Sequence, residues 1–125
     1  MACGCHGCYV PQALVDLFKG EQQKNADFCL LKSLQHTNVH TNQTVRLIYD
    51  IICQYIIYIL ECIGHHLPLG LIIDAAIGLF HVHAHKEQCF FQYTRHWHCG
   101  WRNLESLWST LNSNSPMARM ATLAH

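Results

Sequence analysis

The sequence predicts an α/β fold, and three observations carry that expectation. Element-sized segments alternate along the chain: a helix-periodic stretch, a short β-branched run, a long apolar run, and a second short run rich in Ile and Ala. Half of the 125 residues are apolar and only 13% are Asp, Glu, Lys or Arg, which suits one packed domain and excludes a disordered tail. Eleven His and eight Cys crowd into this small chain, mainly at its start and after the second short run, so a Cys/His-rich metal-binding element is expected within the α/β frame.

Taken in order, residues 1–10 (MACGCHGCYV) form a Cys/His-rich knuckle. Pro11 starts a turn or short helix expected to reach Phe18, with Gly20 as its stop. From Glu21 to about His36, Ala26, Leu30 and Leu34 recur with Phe28 and Leu31 at helical spacing, placing Cys29 near the buried side of an amphipathic helix. HTNVHTNQT is polar and turn-prone, a surface loop. TVRLIY is short, β-branched and apolar, hence a buried strand ending at Asp50. IICQYIIYILECIG is long enough for a helix, and its apolar residues nearly surround it, which predicts a central position. After the HHLPLG turn, LIIDAAIGLFHVHAH is expected to form one or two short strands running into a His cluster. KEQCFFQYT suits a helical turn or an irregular segment. NLESLWSTLN is helical in pattern, with Leu104, Leu107, Trp108 and Leu111 on one face and Pro116 beyond its end.

Charge excludes some partners. Eight Lys/Arg cancel eight Asp/Glu, so no basic field announces nucleic acid or a membrane surface. The first ten residues lack the basic start, apolar core and small-residue cleavage site of a secretory signal, so the thiols are expected to be reduced and the protein nuclear or cytoplasmic. Cys29, Cys53 and Cys62 lie in apolar contexts and are expected to be packing residues. Val45 to Phe80 is strongly apolar, but Asp50, Gln54 and Glu61 interrupt its first run and Asp74 its second. Two buried core elements explain this better than a membrane span, which needs about twenty uninterrupted apolar residues.

Two constellations could carry metal chemistry. Cys3-Gly-Cys5-His6-Gly-Cys8 offers thiols and an imidazole within one turn, and His81-Val-His83-Ala-His85-Lys-Glu-Gln-Cys89 offers a second set. A strand would put His81, His83 and His85 on one face; a helix would pair His85 with Cys89. Joined, the two sets predict a structural zinc closing a long loop. His96, His98 and Cys99 form a weaker third group. Asp50 at a strand tip and Glu105 on the last helix are carboxylates of the kind that hold a divalent cation, although each also has an ordinary structural role as cap or solvated side chain.

YDIICQY and GLFHVHAHKEQC, with CHGCYVPQALVDLFKGEQQKNADFCL before them and LESLWSTLNSNSPMARMATLAH after, resemble the Kyakuja–Dileera–Zisupton (KDZ) transposases, mobile-element proteins abundant in mushroom-forming fungi. The resemblance runs nearly end to end. It implies a ribonuclease-H-like core with an Asp-Asp-Glu site, where two Mg²⁺ ions serve DNA cutting and joining. It places Asp50 where the family has a catalytic Asp and matches Glu105 to the Glu before Leu-Trp in the family's helix. It makes Cys3 and His6 a Cys-x-x-His metal pair, and His81, His85 and Cys89 a His-x-x-x-His-x-x-x-Cys set, with His83 and Cys5 ranked lower.

Where the family has Asp-Gly-Glu ahead of the last helix, this chain has Gly100-Trp101-Arg102; if the catalytic Glu is the one in that triplet, Arg102 sets a cation where a metal ligand belongs. The family's first catalytic Asp and its strands are expected upstream, and further helices downstream. The resemblance therefore implies a single partial catalytic-domain fragment over residues 1–125, an incomplete ribonuclease-H-like core with vestigial Asp50 and Glu105, unable to cut DNA alone. The alternative is a non-catalytic, zinc-stabilised module that binds protein or DNA. Zinc is the expected cofactor, with Mg²⁺ only if the carboxylate site works. DNA is implied as a partner by resemblance alone, and a second copy or another protein is expected over the open sheet edge.

Overall fold

The computed structural model describes residues 1–17, 20–94 and Ser109. The predicted last helix, with Glu105, and the group His96, His98 and Cys99 lie outside the described residues, Ser109 apart. The chain opens with an antiparallel hairpin of two short strands, β1 (Ala2–Cys3) and β2 (Cys8–Tyr9), in which Cys3 sits opposite Cys8. Gly7, at φ 59°, turns the chain, and its N–H donates to the Cys3 carbonyl at 2.9 Å. Of the turn or short helix expected from Pro11, the structure has the turn, at residues 11–12, followed by irregular chain to residue 17, and Phe18 lies outside the described residues. Gln12 adopts φ 59°, a left-handed conformation that a helix cannot continue through, and fully buried Ala13 anchors the segment by accepting the terminal ammonium of Met1 at its carbonyl.

Helix α1 (Gln23–His36) follows the predicted periodicity and buries Cys29, Leu30, Ser33 and Leu34 as one stripe. Ser33 is tolerated there because its hydroxyl donates to the Cys29 carbonyl at 2.7 Å. Strand β3 (Thr44–Ile48) then leads through Tyr49 and Asp50 into helix α2 (Ile52–Ile63). After a 3₁₀ turn at Gly64–His66, strand β4 (Ile72–Ala76) pairs with β3 in parallel, Thr44 beside Ile72 and Ile48 beside Ala76. Parallel neighbours need a crossover, and α2 supplies it. The charges that interrupted the apolar run are accounted for: Arg46 and Asp74 are register partners, and the Arg46 Nε donates to Asp74 Oδ2 at 2.8 Å.

Only Ile72–Ala76 of the predicted strand region is strand. The β3 ladder ends when the Tyr49 N–H bonds the Ala76 carbonyl, so nothing remains for later residues to pair with. The chain instead forms a single helical turn, α3 (Leu79–Val82), a tight turn, and α4 (Glu87–Tyr93), where the sequence suggested a helical turn or irregular chain. The core lies between α1, α2 and the parallel pair: Leu30, Leu34, Leu47, Ile52, Tyr55, Ile59, Ile63, Ile77 and Val82. Helix α2 is one-sided rather than central, since Ile57, Tyr58 and Leu60 are 66%, 52% and 72% exposed. No helix among the described residues is long and apolar enough to cross a membrane.

Candidate metal centre

The parallel pair sets the site. Helix α2 leaves the C-terminal end of β3, and the α3–α4 segment leaves the C-terminal end of β4, so side chains from both emerge at one edge of the sheet. Open α/β sheets place ligands at this edge. Cys53 is the second residue of α2, His85 lies in the turn between α3 and α4, and Cys89 lies in α4. Their ligand atoms all fall within 4.8 Å of one another, and each side chain is half-buried.

The donor chemistry fits zinc. Cys53 Sγ lies 3.4 Å from His85 Nδ1. Zinc–sulfur and zinc–nitrogen bonds of ordinary length would hold a sulfur and a nitrogen about 3.6 Å apart on one tetrahedral ion. Burial, and then a hydrogen bond with Cys89, pushes the Cys53 thiol above its ordinary value. A cation between these groups would reverse that shift by stabilising the thiolate. Among the described residues this is the group of three or more metal-type side chains close enough to share an ion.

The sequence-predicted residues divide. His85 and Cys89 come together as the helical alternative foresaw, though a turn and a short helix rather than one helix do it. His81 lies in α3, exposed and outside the group, and exposed His83 follows it in the turn. Cys3 and His6 pair with each other, Sγ to Nδ1 at 3.2 Å, in the N-terminal hairpin, and are not members of the group around Cys53. That hydrogen bond holds the Cys3 thiol below its ordinary value. Cys53, expected to be packing, is the residue that sequence reasoning missed. Its apolar neighbours concealed it, while its place in the first helical turn after a buried strand was the available signal. Of the other two expected packing cysteines, Cys29 is buried, whereas Cys62 is exposed and accepts a hydrogen bond from the Gln23 amide at 3.3 Å.

Asp50 stands where the strand-tip expectation put it, just past β3 and ahead of α2. Its Oδ1 accepts the Ile51 N–H at 2.9 Å, but Ile51 is the N-cap of α2 and no side chain caps that helix. Two tyrosines brace this corner against α1 and the segment before it. Tyr49 donates its hydroxyl to Glu21 Oε1 at 2.6 Å and Tyr55 to Asp27 Oδ1 at 2.7 Å, and their rings meet edge to face at 5.5 Å. Burial first, and the adjoining carboxylates next, raise both phenols above the ordinary tyrosine range.

The model of one protein family, the Kyakuja-Dileera-Zisupton transposase, matches residues 1–125, the whole chain. Neither the curated proteins nor the solved structures contain a match to it.

Proposed function

The chain belongs to the Kyakuja–Dileera–Zisupton transposase family, and we propose that it is a transposase-derived domain stabilised by zinc on Cys53, His85 and Cys89, with no DNA-cutting activity of its own. The observation that carries the reading is the convergence of two thiols and an imidazole within 4.8 Å at the C-terminal edge of a parallel strand pair. Thiolates and imidazole together select zinc over Mg²⁺, which takes oxygen ligands. A zinc ion there would tie the β3–α2 corner to α4, a helix with no buried residue of its own.

In this reading β3, α2 and β4 belong to an incomplete ribonuclease-H-like core, and residues 1–125 form one partial catalytic domain. Asp50 and Glu105 are vestigial. A two-metal site needs carboxylates around both ions, and Gly100-Trp101-Arg102 supplies none where the family carries Asp-Gly-Glu. Cys3 and His6 form a separate pair in the hairpin, able to lend two further ligands to a metal. Family membership supports DNA as a partner and a nuclear or cytoplasmic setting. A second copy or another protein would cover the outer edges of the two-stranded sheet, each strand of which pairs on one side only among the described residues. The alternative, a non-catalytic zinc-stabilised binding module, draws on the same metal centre and differs only in having been kept for its contacts.

The test is a nicking assay on supercoiled DNA with Mg²⁺ or Mn²⁺, run beside the Asp50→Asn variant. The proposal expects both proteins to match the buffer control. Metal-dependent nicking that Asp50→Asn abolishes would overturn the claim of incompetence.

A further inference from the structure

Cys53 and Cys89 are suited to a second chemistry. Their sulfurs lie within 4.8 Å of each other, and both residues are half-buried, open enough for a small oxidant to reach. They are separated by 36 positions in sequence, but the fold brings them to one spot from α2 and α4. A disulfide needs its sulfurs about 2.05 Å apart. Closing that distance calls for rotation about the side-chain bonds or a shift of α4, a seven-residue helix with no buried residue of its own. The other described cysteines are placed differently. Cys29 is buried in α1, Cys62 is held by Gln23, Cys3 is held by His6, and Cys5 and Cys8 are exposed in the hairpin, where Cys8 faces Cys3.

We propose that Cys53 and Cys89 form an oxidation site for peroxide-class oxidants, at which closure of a Cys53–Cys89 disulfide and occupation by zinc exclude one another. The exclusion rests on the metal reading above; the disulfide does not. One sulfur, as thiolate, attacks the peroxide O–O bond and becomes a sulfenic acid, while the departing hydroxide takes a proton and leaves as water. The second thiol's sulfur displaces the sulfenic hydroxyl, which leaves as a second water with that thiol's proton. One S–S bond forms, one O–O bond breaks, and two electrons pass from sulfur to peroxide. Once bridged, the sulfurs are no longer thiolates, and zinc keeps a single imidazole from the group.

Hydrogen peroxide is added to the whole chain, metal-free or loaded with zinc. Remaining thiols are then alkylated, digested peptides are mapped by mass spectrometry, and released zinc is followed with a coloured chelator. The expected result is a peptide pair joined through Cys53 and Cys89 that forms in the metal-free chain. In the loaded chain it forms about tenfold more slowly, in step with zinc release. The Cys89→Ser variant should lose the joined pair and keep Cys53 as a sulfenic or further oxidised species. Alkylatable Cys53 and Cys89 after oxidation of other thiols would overturn the site, as would a bridge between the facing Cys3 and Cys8 in its place. A disulfide that closes while zinc stays bound would overturn the exclusion. A chain that holds no zinc yet forms the Cys53–Cys89 bridge overturns the metal reading and upholds the oxidation site.

Discussion

At the scale of the residue, Cys53 decides what the strand edge can do. Without it, His85 and Cys89 are two donors on neighbouring turns; with it, they are three of the four corners of a tetrahedral site. Its raised thiol also has a consequence for stability. The folded, metal-free chain holds that proton more tightly than the unfolded chain does. The resulting contribution is present below the ordinary thiol value and is lost as pH rises through the raised one. Urea titrations of the metal-free chain should therefore show stability falling above about pH 8.5, and the Cys53→Ser variant should flatten that slope. Zinc affinity should run the other way and weaken as pH drops, because binding must displace the thiol protons. The tyrosines make a second pair of residue-scale predictions. Tyr55→Phe should cost about 1–2 kcal/mol in urea unfolding, because Tyr55 is 4% exposed and its loss leaves Asp27 half-buried without that donor. Tyr49→Phe should cost less, since Glu21 is exposed and water can replace the phenol.

At the scale of the element, packing explains which sequence signals were readable. The α1 stripe and the β-branched β3 run were legible because both periods come from one buried face, and the structure keeps them within two residues of expectation. For α2 the pattern misled. Nearly every position is apolar, yet only Ile52, Tyr55, Ile59 and Ile63 turn inward. Ile59→Ala should then cost about 3 kcal/mol, read by chemical denaturation. Ile57→Ala should stay within about 0.5 kcal/mol, and equal costs at the two sites would contradict the one-sided helix. The end of β4 was invisible for another reason. A strand stops when its partner does, and no local feature of LIIDAAIGLF records that Tyr49 closes the ladder. The turn before β4 depends on Gly70, at φ 69°, beside the Asn42 N–H that donates to the Leu69 carbonyl at 3.0 Å. A Cβ there would stand 2.1 Å from Asn42 Oδ1, so Gly70→Ala should destabilise the chain by about 1–2 kcal/mol through positive φ and the displaced side chain.

At the scale of the whole molecule, the metal centre joins segments that the core holds only in part. Helix α2 is anchored by four buried side chains, whereas α4 buries none and is tied back through the Ile77 N–H to the Tyr93 carbonyl. A shared ion at Cys53, His85 and Cys89 would supply the missing cross-link between sequence-distant pieces. Two of the three residues of that site, His85 and Cys89, were legible as a spacing. The third was not, because a cysteine in an apolar helix looks the same whether it packs or ligates, until the fold shows what lies opposite. The central claim is thus a claim about Cys53. The most direct measurement is the zinc content of the purified, untagged chain by elemental analysis, beside Cys53→Ser and, as a control in the core, Cys29→Ser. The account predicts about one tightly held zinc per chain in the native protein and in Cys29→Ser, and its loss in Cys53→Ser. Zinc retained at the same level by Cys53→Ser, or no zinc in the well-folded native chain, would contradict it.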